Sequence, residues 1–227
     1  LIDRLNHEAV QFIERNKSKP FFLYLSHYAP HSILNGKPEL VAKYRKKHVP
    51  GKSTRERCYL CQDAGFKVDP QTHCASYLNP HLCAMLNSID DGVGLIMEKL
   101  RSLGLDENTI LIFTSDNGGQ LTAGANNGPL RDGKHSVYEG GLKVPTCVSW
   151  PGRIKPGSRS DLMALSMDLF PTVCQVAGAE LPGEIEGRSV VPTLLGKSQP
   201  PLRDLWFFSR REGGARYAGN TIEAVRR

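Results

Sequence analysis

The chain has 227 residues, 40% hydrophobic and 23% charged, enough to bury a sizeable core and ordinary for a soluble globular protein. No apolar run approaches the roughly 20 residues needed to cross a bilayer, which excludes a helical membrane span. The net charge of +6 and pI near 9.0 admit an anionic partner, but eight basic residues between Lys37 and Arg57 face only Glu39 and Glu56, with Tyr44 the one Phe, Tyr or Trp; this predicts a solvated basic loop and no nucleic-acid partner.

In chain order, Leu1, Leu5, Val10 and Ile13 fall near helical spacing, as though the sequence opened inside a helix; with the uncapped end at Thr221–Arg227, both termini read as cut. Asn16-Lys17-Ser18 is a formal glycosylation acceptor in a eukaryotic setting. Phe21-Phe22-Leu23-Tyr24-Leu25 is continuously apolar after Pro20 and predicts a central strand covered on both faces. Leu82, Leu86, Ile89, Val93, Ile96, Leu100 and Leu103 recur at steps of four and three, which predicts one apolar helix face ended by Gly104. Asp90-Asp91 resembles a carboxylate pair, but adjacent helical residues diverge by about 100°, so both belong to that helix's polar side.

Ile110–Ser115 and Lys143–Trp150 read as strands, with Pro145 confined to the start or an edge of the second. Asp168–Ala177 reads as a helix that tolerates Pro171 only in its first turn, and Glu180–Pro201 as an irregular crossing loop. Helix and strand alternate, which argues for an α/β layered fold.

Three segments carry chemistry just beyond these strands: Ser26-His27-Tyr28-Ala29-Pro30-His31, the pair Asp116-Asn117, and the loop from Gly128 to Gly141 with Lys134 and His135. Asp and Asn oxygens at a strand's carboxyl end suit a hard divalent cation such as Ca²⁺ or Mg²⁺, while Asn117-Gly118 after an apolar run is equally a hairpin signal. Cation ligands together with a Lys and a His would make a site for a tetrahedral oxyanion. Taken singly, His31, Lys134 and Glu139 also suit a structural loop histidine, a solvated loop cation and a turn residue.

Pro20–Leu25 with Pro30-His31, then Phe113–Gly118, then Gly133-Lys134 with Tyr138-Glu139-Gly140-Gly141 and Val144-Pro145, and finally Asp168–Thr172, resemble the type I sulfatases in order and spacing. The resemblance covers nearly the whole chain except about Lys43–His81, where a cysteine-containing insertion interrupts a partial catalytic domain. It implies an incomplete alkaline-phosphatase-like fold, a mixed sheet sandwiched between helices. It further implies a sulfuric ester hydrolase acting on a sulfated small molecule or sulfated glycan. Asp116 and Asn117 would be ligands of Ca²⁺, and Lys134 and His31 would hold the sulfate; the resemblance gives His135 no role, so it reads as structural or as supporting the site. Such enzymes use a formylglycine made within Cys/Ser-x-Pro-x-Arg, and no cysteine or serine here is followed by that pattern. The chain alone is therefore expected to be inactive, with the nucleophile and two further Asp ligands on a preceding segment.

The same superfamily includes phosphodiester and phosphonate monoester hydrolases, and a non-catalytic module binding sulfated polysaccharide through the basic loop is a third reading. The family implies an exported or lysosomal protein, which favours disulfides. For Cys58, Cys61, Cys74 and Cys83, disulfides, free thiols and a structural zinc all stand open, while Cys147 and Cys174 read as buried thiols.

Overall fold

Three helices organise the first part of the chain: α1 (Ile2–Asn16), α2 (Pro38–Arg45) and α3 (Pro80–Ser102). The protein is described here by a computed structural model covering residues 1–31, 33–47, 79–211 and 221–227. Its contacts divide into two units, one formed by Leu1–Asp106 with Gly119–Lys134, the other by Glu107–Gly118 with His135–Arg227.

Helix α3 starts where local chemistry permits it. The Asn79 side chain accepts from the N–H groups of His81 and Leu82, and Pro80 occupies the first turn, where its missing N–H costs nothing. It stops at Leu103, followed by Gly104 at φ +66°, the cap expected from the sequence. The buried stripe runs through Leu82, Met85, Ile89, Gly92, Ile96 and Leu100, whereas Leu86 is 48% exposed. The predicted stripe was thus displaced, because α1 and α2 both pack on α3 and widen its covered face towards Met85 and Gly92. Asp90 and Asp91 are exposed on the polar side. Leu34, Leu82, Met85 and Ala123 form a core cluster, with Ile2, Ala29 and Ala125 against it.

Backbone approach fixes the α1–α3 crossing. Asn6 is buried and its Nδ2 donates to Ser88 O at 2.9 Å, while a Cβ on Gly92 would stand 2.2 Å from the Asn6 side chain. Gly92→Ala is expected to cost about 1–3 kcal/mol by overpacking. Gly94→Ala, with nothing within 4 Å, should instead stabilise by roughly 0.8–1 kcal/mol through helix propensity. Urea unfolding of the two variants checks the opposite signs.

Phe21–Leu25 is not assigned as a strand. Exposure alternates along it, with Phe22 at 69% and Tyr24 at 80%, while Phe21 packs edge-on against Phe12 of α1. The run keeps a period of two but has no ladder partner among the described residues, so it is covered on one face instead of both.

In the second unit β1 (Leu111–Thr114) pairs antiparallel with β2 (Thr146–Ser149), in register from Leu111↔Ser149 to Thr114↔Thr146. The partner of β1 therefore lies far beyond Asn117-Gly118, and the two-residue hairpin reading fails. Pro145 precedes β2, and Pro171 falls in the first turn of a helix at Leu169–Ala177, as expected. Between β1 and β2 a short helix α4 (Glu139–Leu142) forms; the helix at Leu169–Ala177 is α5. A further turn, α6 (Val191–Leu194), interrupts the otherwise irregular crossing segment. An unanticipated hairpin, β3 (Trp206–Arg211) with β4 (Thr221–Arg226), ends the chain.

Cys147 is exposed and Cys174 half-buried, against the buried thiols expected. Cys147 stands opposite Phe113 at the uncovered end of the β1–β2 pair, where Phe113 is itself exposed. Cys83 is half-buried on α3, and burial pushes its thiol up. Cys58, Cys61 and Cys74 lie outside the described residues, so the insertion and its disulfide, thiol and zinc readings fall there too.

Candidate functional site

The Asp116-Asn117 loop is shaped by local hydrogen bonds, one of them a long contact from Ser115 Oγ to Asp116 Oδ1 at 3.5 Å. Ser115 Oγ donates to the Asn117 carbonyl at 3.2 Å, and Asn117 Nδ2 donates to Gly118 O at 2.9 Å, which leaves Asn117 Oδ1 as the amide's acceptor. Asp116 is exposed and has no ion pair among the described residues. One carboxylate and one amide oxygen on adjacent residues are hard donors of the kind Ca²⁺ takes, so the pair fits that ion as part of a coordination shell. Among the described residues there is no group of three or more His, Cys, Asp or Glu able to complete it.

The glycines flanking the pair are explained by backbone packing. Gly118 N–H donates to Gly141 O at 2.9 Å, and a Cβ on Gly118 would lie 1.7 Å from Gly140 O and 3.0 Å from Gly141 Cα. The two motifs Asp116-Asn117-Gly118 and Glu139-Gly140-Gly141, far apart in sequence, are thus one contact between main chains.

Lys134 and His31 belong to the first unit, Asp116 and Asn117 to the second. Lys134 follows Gly133, whose hypothetical Cβ would lie 2.3 Å from Gly119 O, and its own N–H donates to that oxygen at 3.1 Å. Asn127 braces the same turn: its Oδ1 accepts from Gly119 N–H at 2.9 Å and its Nδ2 donates to Gly119 O and Asp132 O. Asn127 escaped the sequence reading, although Asn126-Asn127-Gly128 is a turn signal that pointed to it. His31 is exposed, closes a turn through its N–H to Tyr28 O at 3.0 Å, and tilts its ring against Tyr28.

His135 opens the return into the second unit at φ +81°, its Nδ1 contacted by the Arg210 guanidinium at 2.5 Å. Glu139 forms an ion pair with Arg226. Asp168 is the opposite of Asp116. It is 1% exposed, takes both guanidinium nitrogens of Arg203 at 2.6 and 3.0 Å, and accepts from the backbone N–H of Leu165 and Arg188. Burial alone would raise its carboxyl; Arg203 and the two N–H donors outweigh this and hold it below the usual value. That carboxylate is saturated and structural, whereas Asp116 is open to a ligand.

The structure thus defines a chain of helices and sheet with oxygen donors where a strand ends, and a lysine held on a loop whose backbone contacts admit only glycine beside it. The sequence model of the Sulfatase family matches residues 1–179, and the chain belongs to that family. It is 34% identical over 217 residues to the steryl-sulfatase of Rattus norvegicus, covering 91% of this chain and 32% of that protein. It is 33% identical over 226 residues to the N-acetylgalactosamine-6-sulfatase of Mus musculus, covering 96% and 35% respectively. The crystal structure of Ps i-CgsB in complex with k-i-k-neocarrahexaose superposes with a TM-score of 0.77 at 31% identity, over 99% of this chain and 44% of that one. The chain spans about a third of the length of the curated relatives named here. Its fold class is the one expected, alkaline-phosphatase-like and partial, mixing helices and sheet; both strand pairs among the described residues are antiparallel. No helix among the described residues is long and apolar enough to cross a membrane.

Proposed function

We propose that the protein acts as a sulfuric ester hydrolase, with Asp116 and Asn117 giving two oxygens to a Ca²⁺ ion and Lys134 and His31 holding the sulfate group. The observation that carries this reading is the Asp116–Gly118 loop at the end of β1, where Asp116 Oδ2 and Asn117 Oδ1 accept no hydrogen bond among the described residues while the backbone is pinned to Gly141. Bound there, Ca²⁺ would offset negative charge on the sulfate oxygens. Lys134 would add a second positive charge to the same group, and His31 would donate a hydrogen bond to it or to the leaving oxygen. No Cys or Ser in the chain precedes x-Pro-x-Arg, so this reading takes the formylglycine nucleophile from sequence outside these 227 residues. By itself the chain would then bind but not turn over.

The named relatives include a steryl-sulfatase and an N-acetylgalactosamine-6-sulfatase, and Ps i-CgsB was crystallised with a neocarrahexaose. These support a sulfated small molecule or sulfated glycan as substrate, and the family supports an exported protein.

The test is a CaCl₂ titration of this chain followed by amide chemical shifts. Shifts at Asp116, Asn117 and Gly118 that disappear in Asp116→Ala are the expected result; identical shifts in the variant would sink the metal assignment. In the gene product that includes the nucleophile, Lys134→Ala should lower kcat/KM for an aryl sulfate about 10²–10³-fold. A preference for an aryl phosphonate over the sulfate would overturn the substrate class.

A further inference from the structure

We propose that the terminal hairpin β3–β4 is a positioning element for the Asp116-Asn117 loop, acting through Glu139. The inference rests on the proposed cation-binding role of that loop and adds what holds it in place. The hairpin lies beyond residues 1–179, the part matched by the family's sequence model.

Register puts Arg226 opposite Trp206 and Arg210 opposite Ile222, so alternation along the strands brings both arginines to one face of the hairpin. From that face Arg226 pairs with Glu139 and Arg210 contacts His135. These contacts grip the two ends of a short stretch. Helix α4 has four residues, too few to persist through its own hydrogen bonds. His135 stands in a left-handed backbone that a non-glycine residue holds only when its surroundings impose it.

What the hairpin holds, the metal loop feels. Gly140 O abuts Gly118 and Gly141 O accepts its N–H, so displacement of α4 opens the backbone contact next to Asn117. Arg226 and Glu139 are each nearly half exposed, so the pair acts as a modest, salt-sensitive clamp rather than a large stabiliser.

Amide hydrogen exchange of the chain reads this clamp without any metal. Gly118 N–H is the reporter, and Arg188 N–H, which donates to Asp168 at 2.8 Å in the same unit, is the control. Glu139→Gln and Arg226→Ala should each speed exchange at Gly118 roughly two- to fivefold and leave Arg188 unchanged. The swapped pair Glu139→Arg with Arg226→Glu should restore slow exchange. Unchanged exchange at Gly118, an equal rise at Arg188, or a swapped pair that fails to recover would each overturn the proposal. A Ca²⁺ titration without effect at Asp116 would overturn the metal reading alone, since the exchange result does not depend on it.

Discussion

Arg203→Ala should destabilise the second unit by about 3–5 kcal/mol, the cost of leaving a buried carboxylate without its partner. Asp168 is 1% exposed and its two oxygens serve four donors: two guanidinium nitrogens and the N–H groups of Leu165 and Arg188. Removing the guanidinium strands the charge and also frees the crossing segment that Arg203 grips through Glu186 O. Thr172 extends the same joint, donating to Asp168 O and accepting from Val190 N–H. The pH dependence follows from the lowered carboxyl. A group whose pKa is lower folded than unfolded stabilises above its unfolded value, near 3.9 for Asp, and loses that stability as pH falls through the folded value. Wild-type stability should therefore decline below about pH 4. In Asp168→Asn that part of the decline should be missing, on a lower plateau. Urea midpoints across pH 2–7 test this; parallel curves for the two proteins would refute it.

Gly118→Ala should be nearly as damaging locally and more damaging to ion binding. The added methyl meets the Gly140 carbonyl at 1.7 Å and Gly141 Cα at 3.0 Å, backbone atoms that cannot swing aside as a side-chain tip can. Relief requires breaking the Gly118 N–H to Gly141 O bond, so overpacking and a lost hydrogen bond combine to about 2–4 kcal/mol. The displaced loop should also lose the Ca²⁺-dependent shifts at Asp116 and Asn117. A Gly118→Ala protein with wild-type stability and unchanged shifts would show that the contact between the two glycine motifs matters little.

The segments of the candidate site were legible because they are written in local residue types. Asp116-Asn117 after an apolar strand, Gly133-Lys134 and Glu139-Gly140-Gly141 were recognisable from order and spacing, and the long helix from its period and Gly104. What escaped was nonlocal. The apolar run Phe21–Leu25 reads the same whether one face or both are covered, and only packing shows that Phe22 and Tyr24 are exposed. Leu86 fell outside the buried stripe because two helices, not one, pack on α3. Asp168 was visible as a helix-start residue, but nothing local announces a partner thirty-five positions on at Arg203. The β3–β4 hairpin was missed for a related reason: its apolar pairs Phe207↔Val225 and Phe208↔Ala224 are adjacent, so the strands show no clean alternation of apolar and polar residues.

The division into units has a consequence for how the chain acquires its structure. The first unit takes Leu1–Asp106 and then Gly119–Lys134, while the second takes the residues between and after them. Neither unit is a contiguous length of sequence. A chain emerging from the ribosome cannot complete its first unit until Lys134 has appeared, by which time β1 has already been made and awaits β2. The contacts that close each unit therefore join segments distant in sequence, the kind whose loop closure is entropically costly.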